Sequence, residues 1–214
     1  MAVRNLDIRV LPDLPAVAAA TLDYLDGSPL ALSGGRTYRE LFPFWVEHLK
    51  QHPRSFYPVD ERRVSIDSPD SNWGTASRLL FAPAGDTVSP SHAAVEPAAY
   101  RRLLKPLGEP PHFRTVFLGM GADGHTASLF PGSPPLNTIR GTVIETTSPA
   151  PPYRRITLGP HVLAAADRAV LIITDPRKTE VLKKVIDGNT EYPITQVLNM
   201  RSQTILLTLP QVLR

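Results

Sequence analysis

Asp123 and His125 stand two positions apart in the stretch Gly119-Met120-Gly121-Ala122-Asp123-Gly124-His125-Thr126-Ala127-Ser128-Leu129-Phe130-Pro131-Gly132. An imidazole titrates near neutral pH, so it can take up and return a proton under physiological conditions. A carboxylate beside it can orient the ring or hold a water. The pair suits general acid–base chemistry. The alternative is structural: an Asp in such a turn often caps a helix, and a single His is often solvated. Glycines at 119, 121 and 124 allow positive φ or a close approach to the backbone. A second set of residues suits an anion. Ser33-Gly34-Gly35 follows a short apolar run and precedes a helical pattern. Backbone N–H groups at a helix start, with the helix dipole, favour negative charge; the other reading is a plain turn that needs glycine. Arg62, in Asp60-Glu61-Arg62-Arg63, offers a planar fork that matches phosphate, or else belongs to an ordinary exposed charged turn. Lys178 falls in the first turn of a helix, where a cation weakens the helix itself. That sets it apart from Lys183 and Lys184.

These residues need elements to position them. Thr115 to Leu118 reads as a buried strand, and Thr126 to Phe130 as the start of a helix that Pro131-Gly132 stops. The acid–imidazole pair then lies where a strand ends and a helix begins, the edge at which open α/β sheets bind ligands. Helices are expected over 14–24, 38–49, 72–80, 96–104, 160–166, 176–186 and 192–199. Strands are expected over 29–32, 55–59, 142–145, 153–158, 169–174 and 204–209, with Pro58 an awkward strand member. Residues 82–97 up to the next helix read as a Pro-containing loop, most exposed over 88–92. Ala169 to Ile173 is continuously apolar, as in a parallel strand covered on both faces. Strands alternating with helices predict an α/β fold with one mostly parallel sheet and helices on both faces. No linker divides the chain, so a single domain over 1–214 is expected.

Composition narrows the function classes. A chain of 214 residues can bury a core of this kind. Its 42% hydrophobic against 20% charged content favours a globular chain over a disordered one. A net charge of +3 is too mild for a nucleic-acid partner and suits a small anionic substrate. The absence of cysteine excludes disulfides, a thiol nucleophile and Cys-ligated zinc. No apolar run reaches the length of a membrane span, and the N-terminal residues lack a secretory pattern. A cytoplasmic protein without a membrane partner is expected. The histidines are not expected to ligate a metal; His92 and His112 read as surface or packing residues. The oligomeric state is left open.

The string GMGADGHTASLFPG closely resembles the signature of the 6-phosphogluconolactonases, which form a wider group with the glucosamine-6-phosphate deaminases. The resemblance extends over most of the chain, through LSGG at 32–35, DER at 60–62, DSNWG at 70–74, RRITL at 154–158 and the strand with Lys178 at 169–178. It implies a Rossmann-like α/β fold. It also implies hydrolysis of 6-phospho-D-glucono-1,5-lactone in the oxidative pentose phosphate pathway, with no metal and no cofactor. Under the resemblance, His125 matches the general base and Asp123 its neighbouring carboxylate. Ser33, Gly34 and Gly35 match the glycine loop near the phosphate, and Arg62 and Lys178 match basic residues that recognise it. Arg155 matches the arginine of the RITL string, whose role stays open. Arg36-Thr37 departs from the family, which places a small residue and then Pro there. The departure either adds a phosphate contact or reshapes the loop. The deaminases tend to follow Asp-Gly-His with Ile-Ala-Phe-Asn-Glu-Pro; this chain lacks that Asn-Glu pair, which favours the lactonase. A non-catalytic sugar-phosphate-binding module is the remaining alternative, and the intact Asp123/His125 pair speaks against it.

Overall fold

A computed structural model describes residues 2–3, 5–52, 54–85, 88–90, 96–134 and 136–214. Seven strands form one sheet in which every pairing is parallel, in the order β1-β10-β9-β6-β2-β3-β5. Their ranges are β1 Leu6–Val10, β2 Leu30–Leu32, β3 Arg54–Pro58, β5 Val88–Pro90, β6 Thr115–Leu118, β9 Arg168–Ile173 and β10 Thr204–Thr208. From β2 the chain winds outward through β3 to β5. It then returns to β6 and winds the other way through β9 to β10. The direction reverses between β2 and β6, so a crevice opens beyond the carboxyl ends of these two strands. Ser33–Gly35 follows β2 directly, and Gly119–His125 follows β6. The two sequence patterns most suited to chemistry thus meet at the switch point.

Helices cover the sheet: α1 Leu14–Leu22, α2 Arg36–Gln51, α3 Asn72–Ala76, α4 Ala82–Ala84, α5 Pro97–Leu104, α6 Pro160–Ala165, α7 Thr179–Ile186 and α8 Pro193–Asn199. The longest of them, α2, shows how the sequence holds the crevice in place. Tyr38, Leu41, Phe42, Trp45 and Leu49 recur at helical spacing and are all buried. Each large apolar side chain so buried contributes roughly 1.5–3 kcal/mol. The Trp45 ring lies 5.3 Å from that of Phe117 on β6, and its indole N–H donates to Thr21 Oγ1 at 2.7 Å. Tyr38 donates its hydroxyl to Leu118 O at 2.9 Å, tying the first turn of α2 to the end of β6. Among the described residues no helix is long and apolar enough to cross a membrane.

Several sequence expectations are corrected. A second, antiparallel sheet is present: β4 Asp60–Arg62, β8 Arg154–Leu158 and β7 Val143–Thr147, in the order β4-β8-β7. The chain leaves the main sheet at Val59, whose N–H donates to Leu32 O and whose carbonyl accepts from Leu158 N–H. Asp60 and Glu61 are therefore buried strand residues, not part of an exposed turn. No helix forms over 126–130. Ala127 adopts φ 52°, and Thr126 and Leu129 pair across a tight turn. Residues 88–90, expected in a loop, form β5 against β3, while His92 lies outside the described residues. β1, an edge strand, was not expected. The helix expected from Pro176 is split into a 3-10 turn over Pro176–Lys178 and then α7.

Candidate active site

The loop after β6 folds on itself. Gly121 N–H donates to His125 O at 2.8 Å, and Gly124 N–H to Gly121 O at 3.1 Å. Gly124 needs its positive φ of 78°, and Tyr192 from the segment before α8 packs where a Cβ would stand. Inside this turn His125 Nδ1 lies 2.5 Å from Asp123 Oδ1, which also accepts the His125 backbone N–H at 3.2 Å. Partial burial works to raise the Asp123 carboxyl, but its hydrogen bonds with His125 and the nearby imidazole outweigh this and hold it below its ordinary range. An ionised carboxylate only accepts. In a neutral ring Nδ1 then carries the shared proton and Nε2 keeps its lone pair. The His125 side chain is 34% exposed and lines the cleft. The Phe130 ring, 5.0 Å away between centroids, backs the imidazole.

Three backbone N–H groups of this turn, at 121, 124 and 125, are already used internally. They are unavailable to a developing oxyanion.

The crevice itself is a cleft of ≈ 620 Å³ open to solvent. Ser33, Gly34, Gly35, Arg62, His125 and Lys178 all line it. Gly35 sits at φ 93° before α2, with no side-chain cap and no acidic residue in the first helical turn. The first N–H groups of α2 are left for a ligand. Ser33 is 6% exposed, and among the described residues its hydroxyl has no hydrogen-bond partner. Lys178 is half-buried, and burial pushes its ammonium below the ordinary lysine value. Its neighbour Asp175 is taken up by Arg177, whose guanidinium holds that carboxyl down to about 2. Among the described residues Lys178 forms no ion pair, so a cation faces the cleft without a carboxylate of its own.

Asp123 and Arg155 line an adjoining recess of ≈ 700 Å³. His125, Arg62, Asp60 and Ala127 border both spaces. Arg155 pairs in register with Arg62 across β4 and β8. It is 8% exposed, its Nε has no partner, and burial followed by the neighbouring Arg62 charge lowers its pKa. The eight sequence-selected residues thus line these two adjoining spaces, and His125 borders both.

Two cleft residues were not singled out from sequence. Asp60 is buried on the cleft wall, where its Oδ2 accepts from Ser128 Oγ at 2.6 Å. The signal was its place at the head of the DER run, read there for its arginine. Asn72 also lines the cleft, with its amide against the Cα of Gly34; a Cβ at Gly34 would lie 2.2 Å from Asn72 Cγ. In the sequence it stood only within the DSNWG string at 70–74. His48 and His52 stand at H-x-x-x-H spacing on α2 with rings 4.5 Å apart, and neither lines the cleft. Among the described residues no group of three or more His, Asp or Glu side chains is placed to hold a metal ion.

The sheet is doubly wound α/β, with an acid–imidazole pair and an uncapped helix start at its switch point. Residues 9–206 match the family described as glucosamine-6-phosphate isomerases/6-phosphogluconolactonase, and the chain belongs to that family. A 6-phosphogluconolactonase of Pseudomonas putida is 33% identical over 189 residues, 79% of this chain and 75% of that one. A Caenorhabditis elegans relative is 35% identical over 153 residues, and the match spans 57% of its length. The solved 6-phosphogluconolactonase of Trypanosoma cruzi superimposes with a TM-score of 0.81 at 26% identity, covering 99% of this chain and 97% of that one.

Proposed function

We propose that residues 1–214 act as one lactonase unit that hydrolyses 6-phospho-D-glucono-1,5-lactone to 6-phospho-D-gluconate, with His125 as general base. The observation that carries this reading is the His125–Asp123 pair, with its free Nε2, beside a cleft lined by an unpaired lysine and an uncapped helix start. The named relatives support the choice of substrate.

A δ-lactone is an activated ester, so water can attack it without a covalent enzyme intermediate. Nε2 of His125 takes a proton as the water oxygen bonds to C1. The C1–ring oxygen bond then breaks, and the imidazolium returns its proton to the departing oxygen. One water is added and the base is restored. Asp123 holds the ring and stabilises the imidazolium. The phosphate lies far from C1 and supplies positioning. Ser33, Gly34 and Gly35 with the first turn of α2 receive it, together with Lys178 and Arg62. Arg155, next to Arg62, adds positive charge behind that site. The substrate is a small molecule, and neither nucleic acid nor a membrane is part of the reading. The cytoplasm is the proposed compartment, and the lack of cysteine accords with a reducing environment.

The test is a coupled assay on freshly made lactone with excess 6-phosphogluconate dehydrogenase and NADP, spontaneous hydrolysis subtracted. Glucosamine 6-phosphate is run in parallel for ammonia release. Acceleration on the lactone alone is expected. Ammonia without lactone turnover would move the assignment to the deaminases.

A further inference from the structure

Arg36 stands where the glycine loop after β2 runs into α2. It is the first residue of α2, directly after Gly35, and it lines the cleft beside Ser33, Gly34 and Lys178. A cation at a helix start opposes the helix dipole and is unfavourable for the helix. No acidic residue in the first turn offsets it. Ser33, whose buried hydroxyl has no partner among the described residues, lines the same cleft. This end of the cleft is thus built to receive negative charge.

The Arg36 guanidinium is paired with Glu40, which does not itself line the cleft. Its Nε donates to Glu40 Oε1 at 3.1 Å, one helical turn on, with side-chain exposures of 70% for Arg36 and 42% for Glu40. Exposed pairs at this spacing are weak. A smaller recess lined by Arg36, Thr37, Glu40, Asp175 and Lys178 adjoins the cleft, so the side chain stands at the border of two open spaces. A guanidinium engages a phosphate through two parallel hydrogen bonds, which are stronger than one exposed contact to a carboxylate.

Resting on the lactonase reading for its ligand, we propose that Arg36 is a movable phosphate clamp. It is parked on Glu40 in the free protein and swings into the cleft to close over the substrate phosphate opposite Lys178. Glu40 is the parking site and takes no part in the chemistry. The clamp favours phosphorylated over unphosphorylated lactone.

The experiment measures 6-phosphogluconate affinity by calorimetry and lactone kinetics for the wild type, R36A, R36K, E40Q and R36A/E40Q. R36A is expected to weaken 6-phosphogluconate binding about tenfold and to raise KM more than it lowers kcat. R36K, which keeps the charge but loses the fork, falls between R36A and wild type. E40Q tightens binding about twofold, because the exposed pair no longer competes. That gain vanishes in R36A/E40Q. Unchanged affinity in R36A overturns the clamp. An equal gain from E40Q in both backgrounds shows that Glu40 acts as a bare repelling charge and overturns the parking. A wild type that binds 6-phosphogluconate through Arg36 but does not hydrolyse the lactone refutes the lactonase reading and leaves the clamp standing. A wild type with no affinity for 6-phosphogluconate overturns both.

Discussion

His125 Nδ1 and Asp123 Oδ1 are 2.5 Å apart, and the same oxygen accepts the His125 backbone N–H at 3.2 Å. One carboxylate thereby fixes both the ring and its tautomer, leaving Nε2 as the basic atom. His125→Ala should lower kcat by roughly 10²–10⁴-fold, the usual worth of a general base. Affinity for 6-phosphogluconate should change little, because the proposed phosphate site lies elsewhere in the cleft. Asp123→Asn should lower kcat as well, since an amide can donate to Nδ1 and move the ring proton to Nε2. The coupled assay and calorimetry read both quantities. Normal turnover in H125A would remove the imidazole from the mechanism.

Gly121 is required by the pair rather than by its own backbone. A Cβ there would lie 2.1 Å from His125 Nδ1 and 2.5 Å from Asp123 Oδ1. The ring is the softer partner, so Gly121→Ala should push it aside. A displacement of this size is expected to lower kcat roughly 100-fold, with a stability cost of about 1 kcal/mol. Kinetics together with a denaturation curve separate the two effects. A fully active G121A protein would mean that the ring geometry does not set the rate.

The sequence disclosed what is written in contiguous strings and hid what depends on distant contacts. Ser33–Gly35, Asp123 and His125 each follow an apolar strand directly, so their place at the strand ends could be read locally. Asp60 could not. Its burial depends on β4 pairing with β8 almost a hundred residues later, and three residues carry too little pattern to announce a strand. Thr126 to Phe130 has helix-compatible residues, yet Thr126 Oγ1 donates to Gly119 O and Ser128 Oγ to Asp60. Those bonds accompany a turn at Ala127 in place of a helix. β1 was hidden because it is an edge strand whose last three residues are exposed, which blunts any alternation.

With Lys178 in the proposed phosphate site, binding should depend on pH. Burial depresses its pKa, opposed by Asp175 and reinforced by Arg177. The ammonium is therefore lost at lower pH than in an ordinary lysine. Phosphate affinity should be full on the acid side of this depressed value and fall as pH rises through it. The phosphate stays a dianion over the alkaline range, so the loss belongs to the protein. Lys178→Arg, whose charge persists, should flatten the profile even where it weakens binding. Calorimetry with 6-phosphogluconate, which is not consumed, gives the profile. The same alkaline decline in K178R would assign it to another group.

Glu61 holds the frame on which Arg62 and Asn72 stand. Its Oε1 accepts from the backbone N–H groups of Arg62 at 2.7 Å and Asn72 at 2.9 Å. Oε2 accepts from Trp73 N–H at 2.7 Å and from the Ser71 hydroxyl at 3.0 Å. The residue is 2% exposed, so one carboxylate joins β4 to the start of α3 without touching solvent. Glu61→Gln keeps one accepting oxygen but turns an NH₂ toward the Trp73 N–H. The expected cost is roughly 2–4 kcal/mol of stability, because buried donors are left unpaired. Arg62 and Asn72 both line the cleft, so KM should rise in the fraction that stays folded. Denaturant unfolding with kinetics at low temperature tests both. A variant as stable as the wild type would show that α3 is held by its apolar contacts alone, through Trp73 against Phe81 at 4.8 Å.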